Sequence, residues 1–333
     1  MQRFINNPEL VVDDLIRGFV KANKKLVKVS KHNNRVLKVN NSSEIKKVGI
    51  VTGGGSGHEP AFLGYLGDNM VDAVAIGEVF ASPPAQAFYD AIIEADHGKG
   101  VACLFGNYAG DNMNVKMAIQ MADDDGITVK YVVANDDIAS SPKETAEKRH
   151  GIAGGVFMWK IGGARAALGG SLDEVIQSAQ KAVNYTRSIC VGLNSCTIPA
   201  VGKPNFSIKE GEMEFGIGHH GEAGMKVEKL KSADEIATEM TMAILEDFAF
   251  AEKENLVVLL SGLGSTPVME LYILFDTVEK ILTERGHHIS KVFIGDYVTS
   301  LDMNGVSLSI MKVDEELVEL LDYSAKAVGL RTY

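Results

Sequence analysis

Lys47–Thr52 reads KVGIVT and runs directly into Gly53–Pro60, which reads GGGSGHEP. The first segment has the aliphatic and β-branched residues of a buried strand. The glycine cluster of the second predicts a tight loop at the carboxyl end of that strand, where α/β sheets bind ligands. The Gly-Lys-Ser/Thr ending of a nucleotide-binding P-loop is missing from this segment. The sequence therefore predicts a ligand loop of another kind.

The same pattern continues through the first half of the chain. Strand-like runs recur at Asp72–Ile76 (DAVAI), Gly100–Phe105 (GVACLF) and Thr128–Val133 (TVKYVV), and helical spacing separates them at Pro84–Asp96 and Asn112–Asp124. Alternation of strands and helices is typical of βαβ units, which build a mainly parallel sheet with covered faces. We therefore predict an α/β fold for this half.

The second half predicts another set of strands and helices. Ser171 with Glu174 and Ser232 with Glu235 match the S-x-x-E capping box of a helix start, and the turn-rich segment Asn194–Phe206 is the predicted boundary region. Further strands are expected near Glu212–Gly218, Leu256–Ser261, Lys291–Ile294 and Val306–Lys312, and further helices from Ser232 and Pro267. We therefore expect two α/β domains with mixed, largely parallel sheets, residues 1–190 and residues 191–333.

Composition narrows the possible classes of function. The chain has 333 residues, a formal net charge of -11 and no dense run of Lys and Arg, so direct binding to nucleic acid is not expected. No apolar run is long enough to cross a bilayer, and acidic residues interrupt the N-terminal segment where a signal peptide needs an apolar stretch. Cys103, Cys190 and Cys196 have no CxxC pairing, which predicts reduced, buried thiols. We expect a cytoplasmic protein.

Three predicted strand-to-helix loops have polar side chains. His58 lies in the glycine cluster, Ser82 precedes Pro83, and Asp111 lies in Asn107–Asn114 (NYAGDNMN). Because parallel strands bring successive carboxyl ends to one sheet edge, we expect Asp111 near His58. His58 is either an acid–base group or a structural histidine. Asp111 either takes the proton of a substrate hydroxyl or caps its helix, and Ser82 either binds a ligand or caps its helix.

A second glycine cluster surrounds two histidines. Gly216–Gly224 reads GIGHHGEAG and matches G-x-G-x-x-G, but the charged stretch that follows does not suit a phosphate-binding helix, so we reject a dinucleotide site. A metal site is not indicated, because spacing places no third ligand and adjacent strand residues point to opposite faces. A neutral imidazole can also attack a ketone carbonyl. From the pattern alone, we expect one of His219 and His220 to be structural and the other to form hydrogen bonds.

Taken together and in this order, GGGSGHEP, SPP, NYAGDNMN and GIGHHGEAG resemble the K subunit of dihydroxyacetone kinases. The resemblance extends from about Phe4 to about Leu321, which is nearly the whole chain. Further matching stretches are Ala134–Asp137 (ANDD), Gly151–Gly154 (GIAG), Cys196–Pro199 (CTIP), Gly202–Pro204 (GKP), Thr266–Leu271 (TPVMEL) and Thr299–Met303 (TSLDM).

The resemblance implies a homodimeric subunit of two α/β domains that binds dihydroxyacetone without ATP. In that family the histidine before Gly-Glu, here His220, adds to the substrate carbonyl and forms a covalent hemiaminal. His58 then helps to orient the ketose, and Asp111 is the general base. The other substrate contacts of the family fall on Gly54, Gly55, Ser56 and Ser82. Nucleotide and Mg²⁺ belong to a separate L subunit, so we expect no cofactor or metal on this chain; the phosphoryl donor, ATP or a phosphocarrier, is left open.

Two departures from the family pattern leave alternatives open. Gly106 stands where many members have a lysine that contacts the substrate, and a branch that acts on tetruloses such as erythrulose looks similar here, so the ketose is open. Ala223 replaces the proline of Gly-Glu-Pro-Gly. The competing hypothesis is a paralogue that also binds dihydroxyacetone on histidine but acts as a transcriptional coactivator on a DNA-binding regulator. The acidic charge of the chain suits that role equally.

Overall fold

The computed structural model describes residues 3–40, 46–204, 206–251 and 253–332, which form two compact units. The first unit comprises the described residues within Met1–Ala134, Val156–Ala182 and Leu317–Tyr333. The second comprises those within Asn135–Gly155 and Val183–Glu316. Residue 205 of the predicted boundary segment lies outside the described residues.

The chain passes between the two units more than once, which differs from the single boundary expected near residue 190. Residues 135–155 belong to the second unit, where Asp137 forms a β-bridge with Ser188. The C-terminal residues return to the first unit, where Ala325–Ala327 pairs with Gly67–Asp68. These contacts join residues far apart in sequence, and a turn-rich composition does not encode them.

Helices and strands alternate along much of the chain. The helices are α1 (Val11–Ala22), α2 (Ala85–Ala95), α3 (Ala109–Asp124), α4 (Gly155–Ala167), α5 (Leu172–Asn184), α6 (Ala233–Asp247), α7 (Val268–Glu284) and α8 (Glu315–Asp322). The strands are β1 (Val27–Val29), β2 (Val36–Val39), β3 (Gly49–Ser56), β4 (Gly67–Asp68), β5 (Ala73–Val79), β6 (Val101–Gly106), β7 (Val129–Ala134), β8 (Thr186–Gly192), β9 (Glu212–Phe215), β10 (Lys226–Lys229), β11 (Asn255–Gly262), β12 (His288–Gly295), β13 (Gly305–Lys312), β14 (Ala325–Ala327) and β15 (Arg331–Thr332).

The main sheet of the first unit has the strand order β1-β2-β5-β3-β6-β7. Strands β5, β3, β6 and β7 are parallel neighbours, whereas β1 and β2 pair antiparallel at one side. Helix α2 buries Phe88 and Ile92 against this sheet because its apolar residues recur on one face. The four strands and two helices predicted for this region are confirmed, with ends shifted by a few residues.

Strand β3 extends further than its sequence suggests. Residues 53–55 continue the pairing with β5 and lie within the strand, not in the loop that we expected. A Cβ atom at Gly54 would overlap the ring of Phe62. Position 54 therefore requires glycine, because Phe62 packs directly on the strand there. The tight turn begins only at Gly57, where φ is 101°.

The main sheet of the second unit has the order β10-β9-β8-β13-β11-β12. Strands β11 and β12 are parallel, and antiparallel pairing prevails in the rest of this sheet. The connection between β9 and β10 is short enough for a hairpin, which requires antiparallel strands. The α/β class with two mixed sheets is confirmed, and parallel pairing is concentrated in the first unit.

Local sequence signals are confirmed at two helix starts. At α6, the Ser232 hydroxyl accepts a hydrogen bond from the main-chain N–H of Glu235, and the Glu235 carboxylate accepts one from the main-chain N–H of Ser232. Ser171 and Glu174 exchange the same pair of hydrogen bonds at α5. Each box satisfies donors that the first helical turn leaves unpaired.

The structure tests two further sequence predictions, the buried cysteines and the lack of a membrane-spanning segment. Cys103, Cys190 and Cys196 are all buried, as expected. Burial raises the pKa of the Cys103 thiol to about 12. Within the described residues, no helix combines the length and apolar character that a membrane span needs.

A buried ion pair ties segment 135–155 to helix α6 within the second unit. The guanidinium of Arg149 is buried and donates to both carboxylate oxygens of Asp247, at 2.8 and 2.6 Å. Arg187 donates to the same carboxylate at 3.0 Å. Burial opposes ionisation of Asp247, but the two guanidinium groups lower the pKa of this carboxyl overall. Removing the carboxylate would leave the charge of Arg149 buried and uncompensated.

We expect Asp247→Ala to lower the free energy of unfolding by about 3–5 kcal/mol, the usual cost of breaking a buried pair. The matched control is Asp173→Ala, because Asp173 pairs with Lys130 while 67% of its side chain is exposed. That change should cost less than about 1 kcal/mol. Urea unfolding of both variants measures the difference, and equal losses would contradict the structural role of Asp247.

Candidate functional site

Three loops leave the carboxyl ends of neighbouring strands in the first unit. Strands β5, β3 and β6 are adjacent and parallel. Strand β3 leads to His58, β5 leads to Ser82, and β6 leads to Asp111. Since parallel neighbours end at the same side of a sheet, the three loops share one edge, as the sequence predicted.

His58 is buried between aromatic rings at this edge. Its imidazole stacks on Phe80, with ring centres 5.0 Å apart and an interplanar angle of 25°. The ring of Phe62 meets it edge-on at 6.5 Å and 84°. The turn before His58 is held by the main-chain N–H of Gly57, which donates to the Glu59 carboxylate at 3.0 and 3.1 Å. These contacts fix the plane of the imidazole.

Asp111 and Ser82 are brought into direct contact. The Ser82 hydroxyl donates to Asp111 Oδ1 at 2.5 Å, and Asp111 is buried. The side-chain amide of Asn114 donates to the Pro83 carbonyl at 2.8 Å and approaches Ser82 Oγ at 3.4 Å. Asp111 lies in the first turn of α3, but the N-cap residue is Tyr108. The interpretation of Asp111 as the N-cap residue is therefore wrong.

The remaining predicted contacts of the first unit have packing roles in the structure. Ser56 is buried, and its hydroxyl donates to the Gly77 carbonyl at 2.8 Å. Gly54 and Gly55 lie in β3 beside β5. Contact of Gly54, Gly55 and Ser56 with a substrate stays a prediction.

In the second unit, a glycine-rich loop connects β9 to β10. The loop closes where the main-chain N–H of Met225 donates to the Phe215 carbonyl at 2.8 Å. Inside it, the N–H of Gly221 donates to the Gly218 carbonyl at 3.0 Å, and the N–H of Gly218 donates to the Glu222 carbonyl at 3.0 Å. Gly221 has a φ of 82°, which favours glycine. The chain therefore folds back on itself around the two histidines.

His220 is the accessible histidine of this loop. Its side chain is 26% exposed, and its Nδ1 lies 2.9 Å from Glu222 Oε1. Its main-chain N–H donates to Glu222 Oε2 at 2.9 Å. Burial opposes ionisation of Glu222, but the hydrogen bonds and charge of His220 outweigh it and lower the pKa of Glu222 to about 2. The carboxylate is therefore ionised at neutral pH.

His219 has the opposite environment. It is 2% exposed, and burial, with a smaller effect from His220, lowers its pKa to about 3. Its main-chain carbonyl accepts a hydrogen bond from the Ser300 hydroxyl. His219 is therefore a neutral, buried histidine. The expectation of one structural and one hydrogen-bonding histidine matches this geometry, and the structure decides which is which.

Segment 135–155 contains two buried aspartates that motif chemistry alone missed. Asp136 accepts hydrogen bonds from the main-chain N–H groups of Ile152 and Gly154, at 3.1 and 3.0 Å. Burial, assisted by the charges of Asp136 and Glu222, raises the pKa of Asp137 to about 7, although an N–H of the following turn opposes the shift. The signal was present in the ANDD and GIAG stretches, but spacing gave no reason to connect them to Glu222.

Comparison with known proteins identifies the family of the chain. The Dak1 domain matches residues 17–329. The chain belongs to the Dak1 domain family. One Dak1 relative, the dihydroxyacetone-binding subunit DhaK of PTS-dependent dihydroxyacetone kinase 2 from Listeria innocua, is 42% identical over 97% of both chains. D-erythrulose kinase from Mycolicibacterium smegmatis is 37% identical over 95% of this chain and 54% of that protein.

A solved structure shares the Dak1 fold closely. The dihydroxyacetone kinase operon co-activator Dha-DhaQ superposes with a TM-score of 0.90 at 32% identity, over 96% of this chain and 98% of that chain. The family assignment made from the sequence motifs is therefore confirmed.

We expect Asp137 to make folding stability depend on pH. Its carboxyl has a pKa of about 7 when folded and an ordinary value of 3.8, so the folded state binds the proton more tightly. The free energy of unfolding should therefore fall as pH rises from about 4 to about 7 and then level off. Asp137→Asn keeps the acceptor oxygen but removes the carboxyl that titrates. The free energy of unfolding of this variant, relative to that of the unmodified chain, should therefore rise between pH 5 and pH 8.

Urea unfolding at the two pH values tests this expectation. The control is Asp123→Asn, which removes an exposed carboxylate. The same pH dependence in both variants would contradict the burial effect at Asp137.

Proposed function

We propose that this chain is the dihydroxyacetone-binding subunit of a multi-subunit kinase that phosphorylates dihydroxyacetone or a related short ketose. The observation that supports it most is the hairpin loop, in which His220 is partly exposed while its Nδ1 faces Glu222. Relatives named as dihydroxyacetone-binding subunits match nearly the whole chain.

In the proposed reaction, His220 adds to the carbonyl carbon of the ketose and holds it as a hemiaminal. A substrate with three or four carbons buries little surface, so non-covalent contacts alone provide limited affinity. A bond to the carbonyl also discriminates against polyols such as glycerol, which have no carbonyl group. His219 is buried, which supports His220 as the nucleophile.

Asp111 is the proposed general base. Its carboxylate is fixed by the hydrogen bond from Ser82, and a fixed carboxylate can take the proton of the hydroxyl that attacks phosphorus. His58, held between aromatic rings, is proposed to orient the ketose. The other proposed substrate contacts are Gly54, Gly55, Ser56 and Ser82.

The phosphoryl group is proposed to come from a separate L subunit. Phosphoryl transfer requires phosphate clamps and Mg²⁺. We assign both to the L subunit and not to this chain. We further propose that this chain forms a homodimer in the cytoplasm. Relatives named PTS-dependent favour a phosphocarrier as the source of the phosphoryl group. Similarity to D-erythrulose kinase, together with Gly106, keeps tetruloses among the candidate substrates.

A second candidate is a regulatory role as a ketose-binding coactivator that docks on a DNA-binding regulator. The close structural likeness to an operon co-activator favours it. The same fold serves both roles, so the distinction lies in turnover and not in architecture.

We expect His220→Ala to abolish a covalent adduct that the unmodified chain forms with dihydroxyacetone. The reason is that the substitution removes the only proposed nucleophile. Intact-protein mass spectrometry after rapid desalting measures the added substrate mass. The control is His219→Gln, which changes the buried neighbour and should keep the adduct. An adduct that survives His220→Ala would move the nucleophile elsewhere.

We expect Asp111→Asn to keep the adduct while lowering turnover with the cognate L subunit about 10²–10⁴-fold, the usual contribution of a general base. Asparagine preserves the shape and the acceptor for Ser82, so binding should change little. The matched control is Asp124→Asn at the other end of α3, which should leave turnover unchanged. Phosphorylated product is measured across candidate L subunits, with the chain alone as the blank.

The paired measurement also separates the two candidate functions. Product from the unmodified chain with any L subunit would exclude a purely regulatory role. An adduct without product from any partner would favour the coactivator. Unchanged turnover in Asp111→Asn would remove Asp111 from the mechanism.

A further inference from the structure

Glu222 faces His220 through both of its carboxylate oxygens. Oε1 lies 2.9 Å from the ring nitrogen Nδ1, and Oε2 accepts the main-chain N–H of the same residue at 2.9 Å. An ionised carboxylate can only accept hydrogen bonds. The low pKa of Glu222 means that the group is ionised at neutral pH, so Nδ1 must be the nitrogen that carries the proton. In neutral imidazole, Nε2 then holds the lone pair.

The backbone of the loop is shaped to bring Glu222 back to His220. Two hydrogen bonds close the segment from Gly218 to Glu222, and Gly221 turns with a positive φ. A Cβ atom at Gly218 would overlap the carboxylate of Glu222, so a side chain there would displace it. Gly218 therefore makes room for the carboxylate of Glu222.

We propose that Glu222 is the positioning residue of the site: it holds His220 as the Nδ1–H tautomer, presents Nε2 to the substrate carbonyl and balances the positive charge that the adduct acquires. This inference rests on the proposed function, because it names how the nucleophile of that function is prepared. The same division of labour, a carboxylate that orients an imidazole and stabilises its cation, occurs in serine proteases.

The addition of His220 to the ketose conserves atoms and charge. The lone pair of Nε2 forms the N–C bond, the π electrons of the carbonyl move to its oxygen, and that oxygen takes a proton from solvent. The ring then has substituents on both nitrogens and a positive charge, with Nδ1–H still donating to Glu222. Because the carboxylate is already ionised and in place, little reorganisation is needed as the charge forms.

The surrounding charges are consistent with this role. Burial is the main cause of the raised pKa of Asp137, and the charge of Glu222 adds to it. The charge of Glu222 also acts on His150, whose pKa is lowered mainly by burial. A second carboxylate, Glu214, belongs to the same hairpin, but its Oε1 accepts the main-chain N–H of Gly224 at 2.6 Å. Glu214 shapes the loop, whereas Glu222 faces the imidazole. Glu214 and Glu222 therefore offer a matched comparison between a carboxylate that shapes the loop and one that positions the imidazole.

The test uses three variants of the full chain: Glu222→Gln, Glu222→Ala and the control Glu214→Gln. Labelling of histidine with ¹⁵N, with the His220 signals identified by comparison with His220→Ala, reports the tautomer without any substrate. We expect the Nδ1–H tautomer in the unmodified chain and in Glu214→Gln, and its loss in Glu222→Ala. The dissociation constant for dihydroxyacetone, from the adduct fraction by mass spectrometry, should rise about 10- to 100-fold in Glu222→Ala.

Glu222→Gln keeps the size of the side chain and separates charge from shape. It should weaken the adduct, because the cation loses its counter-charge, while circular dichroism and unfolding remain those of the unmodified chain. An unchanged tautomer and adduct in both Glu222 variants would overturn the inference, as would an equal loss in Glu214→Gln. If the unmodified chain forms no adduct at all, the proposed function fails, and the tautomer measurement still decides whether Glu222 positions His220.

Discussion

Close packing on strand β3 is the constraint on which the first unit depends. This strand lies between two parallel neighbours, and the ring of Phe62 sits where a side chain at Gly54 would stand. Only glycine permits that approach, and the strand can therefore continue to Ser56 before the chain turns. The end of β3 then places His58 beside the loops of Ser82 and Asp111. A packing requirement therefore explains why Gly54 has no side chain.

In the second unit, burial and charge give neighbouring residues different chemistry. His219 and His220 are adjacent in sequence, yet one is buried and neutral while the other is partly exposed and faces a carboxylate. Glu222 and Asp137 are both carboxyl groups, yet the first has a pKa of about 2 and the second a pKa of about 7. Glu222 is paired with the imidazole of His220, whereas Asp137 is buried near other negative charges. Environment, not residue type, decides which group is ionised.

Sequence patterns located most elements of both sheets and two helix starts. These signals are local, because a buried strand or a capping box is encoded by residues a few positions apart. The boundaries of the two units, in contrast, are not encoded by residues close together in sequence. Segment 135–155 and the C-terminal strands join their units through contacts with residues far away in the chain. The pattern also could not connect Asp137 to Glu222, since no periodicity links positions so distant in sequence.

The sequence by itself determined the α/β class, the Dak1 family and the set of loops that hold His58, Ser82, Asp111 and His220. It could do so because short motifs in fixed order identify both strand ends and family. Only the tertiary structure decided that the glycines of β3 belong to the strand, that His219 is buried, and that Glu222 binds Nδ1 of His220. These features depend on which atoms meet in space, on how much water reaches them and on the charges nearby. A one-dimensional pattern contains none of these quantities.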